Sequence, residues 1–75
     1  MLTVGAVTRE ILAYRLKLEA LLVRFDAGER STVASEAQAL SDALVCLMEE
    51  SPLRERATID YLVDRYEALR ISASN

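Results

Sequence analysis

Along the first third of the chain, apolar residues recur at alternating steps of three and four. Val4, Val7, Ile11, Tyr14, Leu18, Leu21 and Phe25 form an unbroken a/d series, the pattern of a helix that lies along another helix. The spacing predicts a first helix from about Thr3 to Ala27. Thr3 can cap its start, and Gly28 suits the residue just past its end, because glycine takes the left-handed conformation without a Cβ penalty. A link as short as Gly28–Arg30 folds the next helix back as an antiparallel hairpin.

The second series is Val33, Ala37, Leu40, Leu44 and Leu47. It keeps the heptad period and predicts a helix over Ser31–Glu50, capped by Ser31 or Thr32 and packed along the first helix. Ser51–Pro52 is the clearest boundary, since a serine followed by proline closes one helix and opens another. The third helix is predicted from Pro52 to about Ile71, with Ile59, Leu62, Tyr66 and Leu69 as its inward stripe and Arg56 and Asp60 placed to pair. The small polar tail Ser72–Asn75 is expected to fray. The reading is thus all-α: a three-helix unit forming a single domain, with Leu18, Leu21, Leu40, Leu44, Leu62 and Leu69 as its most buried members. The helix order and apolar spacing are similar to small bacterial biofilm and acid-resistance regulators in the last two helices. They are similar to small type III secretion co-chaperones in the first hairpin, and neither likeness carries a functional residue across.

Helix 1 has a second apolar stripe. At about 100° per residue, Leu12, Leu16 and Val23 fall about 140° from the heptad face, with Ala13 and Ala20 beside them. Charged and polar residues separate the two stripes on both sides. Two neighbouring helices cover one broad face well and a second, nearly opposite face poorly, so this stripe is expected to meet another surface, a second copy of the chain or another protein.

Composition strengthens that expectation. The chain has 75 residues, of which 52 % are hydrophobic, and a chain this short buries only about 60 % of its unfolded surface. Small scaffolds of this kind are commonly reinforced by a disulfide, a metal or association. One cysteine cannot form an internal disulfide, and with no histidine the usual Cys/His zinc set is not present. No basic n-region precedes an apolar h-region, and no run of about 18 apolar residues occurs, so neither a secretory leader nor a membrane span is expected. A cytoplasmic location is the expectation, consistent with the lone cysteine.

The charge is unevenly spread. Residues 1–24 carry +2, residues 25–50 carry −5 and residues 51–75 are neutral. The overall −3, with no basic stripe, argues against nucleic acid as a partner. Glu29, Glu36, Asp42, Glu49 and Glu50 make the middle segment a candidate acidic surface that could occupy a basic site on a target protein.

Candidate chemistry is sparse. Without histidine, acid–base work would fall to carboxylates such as Asp60, Asp64 and Glu67, whose shared helix face reads as a solvated surface. Cys46 borders Ala39 and Ala43 and has no basic residue one turn away to lower its pKa. Tyr14 and Tyr66 lie on core stripes. Tyr61 lies off its stripe among Ala57 and Ala68 and is a candidate contact residue. No phosphate loop, nucleophile elbow or metal motif is present, and no cofactor is expected. The sequence therefore predicts a non-enzymatic helical interaction module (regulator, adaptor or small chaperone), with Leu12, Leu16, Val23 and Tyr61 at its partner interface. An acidic inhibitor or nucleic-acid mimic is the alternative.

Overall fold

A computed structural model describes residues 4–74, with side chains from Gly5 onward. Its elements are α1 (Val4–Asp26), α2 (Arg30–Glu50) and α3 (Leu53–Ser74). The described residues are 93 % helical and include no strand. Val4 as a core side chain, Thr3 as a cap and Asn75 in the tail lie outside what is described. Helices of 21 to 23 residues are about 32–35 Å long. The molecule measures 38 × 17 × 15 Å, so it is one helix long and its three helices lie side by side.

The first turn is built as the sequence requires. The N–H of Gly28 bonds the carbonyl of Phe25, and the N–H of Glu29 bonds the carbonyl of Arg24. This pair of bonds is the Schellman arrangement, which satisfies the last carbonyls of a helix. It needs a left-handed residue at its centre, and Gly28 has φ +94. A Cβ there would meet nothing within 4 Å, so the penalty for a side chain is backbone strain alone. Gly28→Ala is expected to lower stability by about 1 kcal/mol, and Gly28→Asn by less. Equal urea midpoints for Gly28→Ala and the wild type would refute this.

Two helix starts differ from expectation. Neither Ser31 nor Thr32 caps α2. The helix begins at Arg30, and Glu29 stands at the cap with no side-chain bond, because the tight turn leaves no residue between its end and the new helix. At the second turn, Ser51 serves the helix it ends. Its hydroxyl donates to the carbonyl of Leu47 at 2.5 Å, its N–H bonds Met48, and α3 starts at Leu53, with Pro52 accepting from the N–H of Glu55. Arg56 reaches back to the Ser51 carbonyl at 3.2 Å in place of the expected partner Asp60. Nor does the end of α3 fray: the helix continues to Ser74, and Ala73 is buried, which ties the last turn down.

One apolar cluster draws on all three helices. Val7, Ile11, Leu18 and Leu21 enter from α1, Val33, Ala37, Leu44 and Leu47 from α2, and Ile59, Leu62, Tyr66, Leu69 and Ala73 from α3. Tyr14 and Phe25 pack at its margin, each with a cation over its ring, Lys17 on Tyr14 and Arg30 on Phe25. Leu40 is the exception among the expected core residues. It is half-buried, and Ser41 is buried instead. The reason is that α2 packs most closely on α3 rather than on α1. That rotation turns Ser41 inward, where its hydroxyl donates to Glu67 at 2.9 Å, and leaves Leu40 at the rim of the α1–α2 groove. Arg70 donates to the other Glu67 oxygen at 2.8 and 3.1 Å. The hydrogen bonds from Arg70 and Ser41 hold the Glu67 carboxyl below its ordinary pKa.

Candidate protein-interaction surface

The second stripe of α1 points away from α2 and α3. Leu12 is 55 % exposed, Leu16 57 % and Val23 70 %. Each lies on the same helix as the buried Leu18 and Leu21, so the helix is apolar on two sides and covered on one. A helix is held in place by one stripe, and the second adds nothing to this fold. Ala20 is exposed beside it and lines an open groove of about 320 Å³ between α1 and α2, together with Leu21, Ala39 and Leu40. The apolar surface therefore runs from Leu12, Leu16 and Val23 past Ala20 to the seam with α2.

Tyr61, 59 % exposed, comes from another helix but joins the same region. It shares a groove of about 250 Å³ between α1 and α3 with Arg15, Glu19, Leu22 and Arg65. Glu19 and Arg15 are neighbours of Leu12 and Leu16 on the α1 helix wheel. Leu12, Leu16 and Val23 thus share one exposed face of α1, and Tyr61 stands beyond its Arg15/Glu19 flank, in the groove with α3. Leu53 and Ile71 are also exposed, both on α3; spacing did not mark them, because each lies off its inward stripe.

The candidate acidic surface is less uniform than its composition. Arg24 reaches across from α1 to Glu36 at 2.6 Å and lies 3.7 Å from Glu29. Asp42 accepts from Gln38 at 3.0 Å. Glu49 and Glu50 are exposed at the end of α2, where two carboxylates oppose the helix dipole. One arginine from the basic first segment is therefore spent on two of the five carboxylates.

Glu67 faces Ser41 and Arg70, Cys46 is an exposed free thiol, and among the described residues no group of three His, Cys, Asp or Glu side chains is placed to hold a metal ion. No described helix is long and apolar enough to cross a membrane. No protein-family model, curated protein or solved structure matches the chain.

Proposed function

We propose that this chain is a small non-enzymatic interaction module, a regulator, adaptor or small chaperone, that works through the outer face of α1. One observation carries the reading: Leu12, Leu16 and Val23 stand 55–70 % exposed on a helix whose opposite face already fills the core. Full burial of such side chains is worth roughly 1.5–3 kcal/mol each before the costs of association. The acidic-inhibitor reading has less support, because Arg24 already engages Glu29 and Glu36.

The test is site-specific photo-crosslinking in the source cell, with the photoreactive residue at Leu16 and, as a control, at Asp64 on the far side of α3. Position 16 is expected to give discrete adducts and position 64 none. Leu16→Glu should keep the melting temperature, as exposed substitutions usually change stability by less than about 0.5 kcal/mol, and should abolish the adducts formed from Val23. A Leu16 probe that yields no adduct overturns the reading. A Leu16→Glu chain that unfolds does so too, since the stripe would then belong to the fold.

A further inference from the structure

We infer that the partner on this face is a second copy of the chain, docked antiparallel with α1 against α1. The inference rests on the proposed interaction face and specifies its occupant. Leu12 and Val23 bracket the stripe, and its midpoint falls between residues 17 and 18. An antiparallel copy related by a two-fold axis at that point places Leu12 opposite the partner's Val23, and Val23 opposite the partner's Leu12. Leu16 then lies against the partner's Ala20, whose small side chain allows close approach of the helices.

The charges at the edge of the stripe have the same midpoint. In an antiparallel two-fold pair each flank of a helix faces the same flank of its copy. Arg15 and Glu19 share one flank, the one bounded by Tyr61, and they are centred on residue 17. The two midpoints agree within half a residue, less than about 1 Å along the helix. Arg15 therefore meets the partner's Glu19, and Glu19 meets the partner's Arg15, one pair on each side of the axis. Tyr61 and Arg65 line the same groove, so both copies set a tyrosine near the axis, and Arg65 donates to its own Tyr61 hydroxyl at 3.5 Å. Antiparallel alignment also opposes the two helix dipoles. An apolar centre with self-complementary charges at its rim is the pattern of an isologous interface.

Charge reversal tests the register. Light scattering of the wild type at high micromolar concentration should give twice the 8.3 kDa chain mass. Arg15→Glu and Glu19→Arg should each weaken the dimer about tenfold, because each sets like charges face to face twice. An equimolar mixture of the two variants should recover association to within about threefold of the wild type, and the double variant R15E/E19R should do the same alone. All three variants should keep wild-type circular dichroism, since both positions are exposed. Single variants that dimerise like the wild type, or a mixture that fails to recover, overturn the antiparallel register. A monomeric wild type whose Leu16 crosslinks to a different protein overturns the second copy and leaves the interaction face standing. A monomer whose Leu16 crosslinks to nothing overturns both.

Discussion

Leu44→Ala is expected to destabilise the fold by roughly 2–5 kcal/mol. Leu44 is fully buried at the middle of α2, the helix that packs closely on α3 and also meets α1. Truncation removes three carbons, a methine and its two methyls, from a site with neighbours on both sides, and three helices joined by two tight turns have little freedom to collapse into the space. A domain of this size has about 4–11 kcal/mol of total stability at about 0.05–0.15 kcal/mol per residue, so the loss is a large share of the whole. Urea denaturation should show a much lower midpoint with an unchanged slope. Val45→Ala, on the neighbouring exposed position, is the control and should move the midpoint far less. If both midpoints shift alike, α2 does not present Leu44 to the other helices.

Alkaline pH should weaken the protein through Tyr66. This residue is fully buried on α3, and its hydroxyl donates to the backbone carbonyl of Tyr14 on α1. Burial, and then the nearby Tyr14, push its pKa from the ordinary 10.0 up to about 12. Burial also raises Tyr14, followed by Glu10 and Cys46. The folded state therefore holds protons that the unfolded chain releases above pH 10. Stability is complete below pH 10 and falls as pH rises toward 12, by on the order of 2 kcal/mol from Tyr66. Arginine stays charged throughout this range, and Lys17 is the one lysine, so tyrosines dominate the effect. Urea midpoints measured from pH 8 to pH 12 should decline for the wild type. Tyr66→Phe should start lower by about 1 kcal/mol for the lost hydrogen bond and then decline less. Parallel declines for the two proteins would exclude Tyr66 as the titrating group.

Helix number, order and approximate limits were legible in the sequence because each rests on local physics. Gly28 ends α1 because a left-handed residue is needed one position past the helix. Ser51–Pro52 separates α2 from α3 because proline constrains its own φ and the residue before it. The inward stripes of α1 and α3 follow from a 3.6-residue repeat, and so does the presence of a second stripe at Leu12, Leu16 and Val23. That this stripe remains uncovered was an expectation from the angle between the stripes. The position of α2 and α3 on the other side of α1 decided it.

Other features depend on which helices pack together, and no local pattern encodes that. The heptad on α2 nominates Leu40, yet α2 turns toward α3 and buries Ser41, whose hydroxyl finds Glu67 twenty-six residues away. The acidic segment looks uniform until Arg24 crosses from α1 to Glu36. Ser51 has the position of a helix cap, but the chain direction after Glu50 aims its hydroxyl at Leu47. Tyr61 joins Arg15 and Glu19 only because α3 returns parallel to α1. Spacing determines what each helix can bury, because side-chain direction along a helix is fixed by the backbone. Tertiary packing determines what each helix does bury, because three amphipathic cylinders of similar length can be rolled about their axes at little local cost.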